Sequence, residues 1–155
     1  MTDPIRPTDD TARELAKTII KGARYGAIAV HHPETGHPHV SRISIGIDET
    51  YQPISLISDL SLHTKALSKN PICSLLLGEP GDKGDPLTHP RISLTCRANP
   101  VAKSELRTTF LKSHPKAKLY IDFADFNFVR FEIISADLNG GFGKAFHMKA
   151  SDFGA

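Results

Sequence analysis

The spacing of apolar residues changes period near residue 24. Up to that point Leu15, Ala16, Ile19, Ile20 and Ala23 recur at helical spacing. Asp9 or Asp10 can accept from the free amides at the start of such a helix, so a helix is predicted from near Asp9, with Gly26 just past its end. Beyond it the pattern becomes extended. Tyr25 to His31 is a run of small and β-branched residues, and HPETGHP (32–38) reads as a hairpin turn with Gly36 at positive φ. From His39 to Ile47 the chain alternates: Val40, Arg42, Ser44 and Gly46 face one way, and Ser41, Ile43, Ile45 and Ile47 the other.

Asp48 to Gln52 turns the chain into a third strand, PISLIS (53–58), and a helical segment SLHTKALSKN (61–70) ends at Pro71. Ile72–Leu77 and Arg91–Ala98 are two further strands, separated by an exposed Gly- and Pro-rich loop over 78–90. A helix is predicted over 102–113, with Leu106, Phe110 and Leu111 on one side. LYIDFADFNF (119–128) then leads into a last strand from Phe128 to about Ile134. Six strands that are mostly neighbours in sequence, with about three helices, predict a mainly β fold, an antiparallel barrel with peripheral helices. No internal repeat appears. One domain over 1–155 is expected, with 1–8 a loose arm and 148–155 a polar tail.

Composition narrows the partners. Nineteen basic and seventeen acidic residues leave a net charge of +2, too even for nucleic acid or a membrane surface to be the expected partner. Cys73 and Cys96 sit singly in apolar runs and read as buried free thiols. The opening MTDPIRPTDD has no apolar stretch of the signal-peptide kind, and no run is long enough to span a bilayer. A soluble, cytoplasmic protein is the expectation.

Candidate chemistry concentrates in 53–71. A strand ends at Ser58, and a tight turn delivers Ser61, His63, Thr64 and Lys65 at the start of a helix, where unpaired amides and partial positive charge suit an anion. By spacing alone, the same residues also describe a Ser-capped helix with a solvated lysine. GGFGKA (140–145) fails as a phosphate loop, because Leu138 stands where the first glycine is needed and Ala145 where Ser or Thr is needed. It reads as a glycine-permitted turn, or as close backbone approach to a ligand with Lys144 or His147 nearby. His31, His32, His37 and His39 crowd one hairpin, but alternation divides them between faces, so no metal site is expected. Asp122 and Asp125 read as caps of a short turn between aromatic anchors. Of the strand arginines, Arg42 is the one expected to meet a phosphate.

Several blocks in order carry a resemblance. Ser58-Asp59, His63, Leu67 and Asn70-Pro71, preceded by YGAIAV, GHP and HVSRISI, resemble the FMN-phosphate segment of the pyridoxamine 5′-phosphate oxidase-like split barrels. GDP (84–86), PRISLTCRA (90–98), the helix ending in His114-Pro115, Tyr120, DFADF (122–126) and GGFGKA resemble the heme-utilisation, heme oxygenase-like branch of that family. The resemblance implies a six-stranded FMN-binding split barrel whose homodimer holds FMN at the interface. Its phosphate would lie against Ser58, His63, Thr64 and Lys65, and its ring along Ser41, Arg42, Ile43 and Ser44. It implies an FMN-dependent oxidoreductase of unidentified small-molecule substrate. Two alternatives stay open: a heme-binding or heme-degrading protein, with His147 or His63 toward the iron, and a non-catalytic flavin-binding module. Leu62-His63 replace the Arg-Lys pair of the true oxidases, so pyridoxamine phosphate is not the expected substrate.

Overall fold

The computed structural model describes residues 3–154. Helix α1 (Asp10–Gly22) starts where Asp9 accepts a 2.8 Å hydrogen bond from the Ala12 amide, and it buries Ala12, Ala16 and Ile20 along one stripe. The strands are β1 (Ile5–Arg6), β2 (Tyr25–His31), β3 (Pro38–Ser44), β4 (Gly46–Ile47), β5 (Pro53–Ser58), β6 (Ile72–Leu77), β7 (Arg91–Val101), β8 (Phe126–Asn139) and β9 (Ala145–Lys149). Helix α2 (Leu62–Lys69) connects β5 to β6, and α3 (Lys103–Ser113) follows β7.

The fold is mainly β, barrel-like and flanked by helices. Its strands run in the order β1-β9-β8-β7-β6-β2-β3, with β5 joining β8 and β4 joining β5. Nine strands replace the six expected from the sequence, for local reasons. The strand anticipated over His39–Ile47 breaks at Ile45, whose amide turns to the Arg24 carbonyl at 2.8 Å, beyond the end of the β2–β3 ladder. The last strand continues to Asn139 and folds back as β9. Ile5 and Arg6 add a short parallel pairing with β9, so the sheet is not purely antiparallel.

Long β8 organises the curl. Its first half pairs with β5, its second half with β9, and β7 runs along the other side of both. Among the described residues β3 and β5 share no backbone ladder. Across this seam Ser44 Oγ and Ser55 Oγ meet at 3.3 Å, and Ser55 is fully buried.

Two apolar clusters hold the structure. The larger lies between α1 and the sheet interior and includes Ile28, Leu75, Leu94 and Phe131; the smaller joins β5 and β8 to α3 through Ile54, Phe128 and Phe110. Each such side chain stabilises the fold by about 1.5–3 kcal/mol on burial. Gly26 is required by close packing rather than by a turn: a Cβ there would lie 2.5 Å from Leu77 Cδ2 and 2.9 Å from the Leu76 carbonyl oxygen. Gly36 does take the expected positive φ, 73°. Two contacts join the described parts of the arm and the tail to the rest of the chain. Thr8 donates to the His147 carbonyl at 3.1 Å, and Phe153 packs into the larger cluster. Residues 1, 2 and 155, the extremes of the expected arm and tail, lie outside the described residues. No described helix is long and apolar enough to cross a membrane. Cys73 and Cys96 face each other across β6 and β7 as buried free thiols. Burial pushes Cys73 up to about 12 and Cys96 higher still, which makes both poor nucleophiles.

Candidate functional site

The β5–α2 junction draws partners from the β2–β3 hairpin and from the segment around Asp125. Ser58 ends β5, and Ser61 enters α2 with extended backbone but no capping bond from its side chain. The first amides of an α-helix have no intrahelical partner and carry partial positive charge, so this start leaves donors open to an acceptor. Thr64 Oγ1 donates to the Ser58 carbonyl at 2.6 Å, which holds the helix start against the end of β5. At the other end of α2, Lys69 Nζ donates to the Pro33 carbonyl at 2.6 Å and ties the helix to the β2–β3 turn.

His63 is half-buried on the flank of α2 that faces β3, and its Nδ1 lies 3.1 Å from Ser41 Oγ. Burial, with a smaller push from His39, holds the imidazole below its ordinary value and therefore neutral at pH 7. Lys65 is exposed one residue beyond Thr64.

The residues expected along the ring divide between faces. Ser41 and Ile43 point inward, and Ile43 is a core residue that can offer a ligand only its backbone. Arg42 and Ser44 alternate to the other face. Arg42 stacks its guanidinium 5.5 Å from the Tyr25 ring centroid in the open, and among the described residues it forms no ion pair. Ser58 Oγ is also already engaged. It donates to Asp125 Oδ2 at 2.8 Å and accepts from the Leu60 amide at 3.2 Å. Asp125 thus does more than cap its own loop. Asp122, its companion in DFADF, is held by two hydrogen bonds from Arg107 of α3, at 2.8 and 3.0 Å.

Two cavities border these residues, and only the first is lined by the junction itself. One, of about 520 Å³, has an apolar floor of Ile57, Leu67, Ala98 and Val129 and a polar rim of Asp59, Thr64 and Asn127. The other, of about 360 Å³, lies on the outer face of β2 and β3 and is lined by Tyr25, Ala27, Val40, Ser41 and Arg42. Thr64 and Ser41 are both assigned to one ligand by the sequence, yet Thr64 lines the first cavity and Ser41 borders only the second, its hydroxyl turned inward to His63. His147 and Lys144 stand apart from both, at the far end of the sheet order. His147 Nδ1 lies 2.8 Å from Asp137 Oδ1 with 59% of its side chain exposed, and Lys144 closes the β8–β9 turn. That turn is the glycine-permitted one, with Gly141 at φ 119° and Gly143 at φ 73°. Among the described residues no group of three or more His, Cys, Asp or Glu side chains is arranged to hold a metal ion.

The family model CREG, beta-barrel matches residues 7–154. The chain belongs to the CREG β-barrel family. The chain is 33% identical over 125 residues to the non-canonical heme oxygenase HOZ, chloroplastic, of Arabidopsis thaliana, a match covering 77% of this chain and 37% of the plant protein. The solved structure of a heme binding protein from Mycobacterium smegmatis superposes with a TM-score of 0.84 at 27% identity, covering 96% of this chain and 61% of that one. This CREG-family chain thus spans well under half of the plant relative. A FAD-binding protein from Mesorhizobium loti shares the fold with a TM-score of 0.62 at 13% identity, covering 84% of this chain and 94% of its own. Heme-binding and flavin-binding proteins thus both stand among its structural neighbours.

The sequence singled out Ser41, His63 and Thr64 without their partners. Asp125, Ser55 and His39 were missed as parts of the site, because each acts through a neighbour remote in sequence. The DFADF motif and the histidines of the 31–39 hairpin were the visible signals.

Proposed function

We propose that this chain binds heme at the β5–α2 junction, with His63 toward the iron. The observation that carries the reading is the Ser41–His63 pair. One ring nitrogen of His63 is held by a hydroxyl 3.1 Å away, and burial keeps the ring neutral. A neutral imidazole fixed through its other nitrogen is the form in which histidine binds a metal. The donor set fits the rest of the group as well. The uncapped start of α2 and Lys65 suit carboxylate side arms; the apolar cavity beside Leu67 adjoins Thr64 of the same helix start and is not lined by His63. The heme relatives at 33% and 27% identity support the same reading. Bound iron would supply redox chemistry; the chain's own residues bind, orient and exclude water. His147 is the weaker candidate, because its ring stands largely in solvent.

A second reading, an FMN-dependent oxidoreductase, is favoured by the uncapped helix start, which offers amides to a phosphate. A neutral His63 adds no charge for a phosphate, while Asp59 on this turn and Asp125 on the loop before β8 weigh against any anion there, a carboxylate arm included. In either case the working unit is a homodimer. Exposed Tyr25, Val40 and Leu76 on the outer face of β2, β3 and β6, beside the small side chains of Ala27 and Ala29, offer a partly apolar surface to a second copy.

The deciding experiment titrates the purified protein with hemin and, separately, with FMN, following absorption and flavin fluorescence. A sharp Soret band that is lost or shifted in His63→Ala and kept in His147→Ala supports the heme reading. Flavin bands with quenched fluorescence and no Soret band replace it with the second. Uptake of neither ligand removes both.

A further inference from the structure

The turn that leads from β5 into α2 is held in place by a loop that contributes nothing else to the site. Asp125 grips it twice: its carboxylate accepts from Ser58 Oγ at 2.8 Å, and its backbone carbonyl accepts from the Asp59 amide at 2.7 Å. The grip is passed on. Ser58 Oγ accepts from the Leu60 amide, and the Ser58 carbonyl accepts from Thr64 Oγ1 in the first turn of α2. Asn127, two residues after Asp125, donates to both carboxylate oxygens of Asp59 at 3.1 and 3.2 Å. The loop itself is anchored elsewhere. Arg107 of α3 holds Asp122, Lys103 Nζ donates to the Phe123 carbonyl at 2.9 Å, and Phe126 packs on Tyr120 with ring centroids 4.8 Å apart.

We infer that Asp125 is a positioning residue: through Ser58 it fixes the turn that sets the direction of α2, and so aims His63 and the open amides at the ligand. The inference rests on the proposed site at the β5–α2 junction. It also reassigns Ser58, whose hydroxyl is committed to the tether and is not a ligand donor. The reason for a carboxylate here is local. A serine hydroxyl that must accept from an amide and donate in a fixed direction needs a strong acceptor, and a carboxylate oxygen next to an ordered loop supplies one. A tether of this kind acts on ligand affinity without touching the ligand, as outer-shell partners of metal ligands do.

The test compares Asp125→Ala with Asp125→Asn by two readouts: hydrogen–deuterium exchange of amides 59–65 in ligand-free protein, and hemin affinity. Asp125→Ala is expected to speed exchange in that segment alone and to weaken hemin binding roughly tenfold or more. Asp125→Asn, whose amide oxygen still accepts from Ser58, is expected to stay close to wild type in both. Unchanged exchange at 59–65 in Asp125→Ala overturns the inference. So does exchange that rises evenly over the whole sheet, which marks a general stability role. If both variants bind hemin more tightly, the carboxylate acts by its charge and the tether is discarded. Should Asp125→Ala fail to fold, Ser58→Ala removes the same link from the other side and carries the same expectations. Absence of hemin uptake by the wild type removes the heme reading, while the exchange result still decides the tether.

Discussion

The two turns that the sequence marked as candidate sites are built in opposite ways. The turn between β5 and α2 is lashed by side chains from far along the chain, with Asp125 on Ser58 and Ser41 on His63. The turn between β8 and β9 is closed by its own backbone, Gly140 N to the Lys144 carbonyl at 2.8 Å and Lys144 N to the Gly141 carbonyl at 3.1 Å, and Phe142 at its tip is 76% exposed. A turn permitted by glycine can form on its own and presents little to a ligand. A turn held by remote partners forms only in the folded chain, and each of its polar atoms has a fixed direction. Preorganised polar groups are what a binding site needs, so the tethered turn is the better candidate.

The largest test of this contrast lies at the entrance to β5. Asp48 there accepts from the Thr50 amide and hydroxyl, from the Gln52 amide and from Arg130 of β8. Asp48→Ala leaves Arg130 without its partner and should destabilise the fold by roughly 3 kcal/mol, measured by urea denaturation. A loss below about 1 kcal/mol would show that β5 does not depend on its side-chain ties. The same carboxylate predicts acid sensitivity. Burial works against its charge, but the hydrogen bonds from Thr50, Gln52 and Arg130 outweigh that and hold it below the ordinary 3.8. Its contribution is complete above 3.8 and disappears as pH falls below it, so wild type should lose stability faster than Asp48→Asn in that acid range.

Next in size is the histidine pair. His63→Ala should weaken hemin binding about tenfold to a hundredfold, and His147→Ala should leave it within about twofold. Equal losses would erase the distinction between the two turns. The pH profile sharpens it further. Because His63 titrates below 6.5, hemin affinity should stay level from pH 8 to 6.5 and fall only on further acidification, as protons displace the iron. A phosphate ligand at the same seat would instead gain from a protonated His63.

The smaller effects fall on the glycine turn. Gly141→Ala places a side chain at φ 119° and 3.2 Å from the Thr88 carbonyl, and should cost about 1–3 kcal/mol in thermal stability without changing hemin affinity. Smallest of all is Asp122→Asn. Its pair with Arg107 is exposed and screened by solvent, so thermal stability close to that of wild type is expected. Affinity loss in Gly141→Ala would return the β8–β9 turn to the site.

The chain's own pattern was sufficient for the parts that depend on neighbours in sequence. The period of Leu15, Ala16, Ile19 and Ile20 located α1, and Asp9 supplied its cap. β-Branched and alternating runs located β2, β5, β6 and β7, and positive φ at Gly36 followed from the turn chemistry. The barrel-like, helix-flanked class follows from such local signals, because hydrophobic period and turn residues act within a few residues of one another. Only the folded chain decided the rest. The break at Ile45 depends on Arg24, the extension of β8 on its pairing with β9, and the docking of Phe153 on the larger core cluster. The candidate site belongs to this second kind. Ser58 reads the same in the sequence whether its hydroxyl meets a ligand or Asp125, and 67 residues of chain separate the two. Hydrogen-bond partners at that separation are chosen by the packing of β5 against β8, which no local pattern encodes.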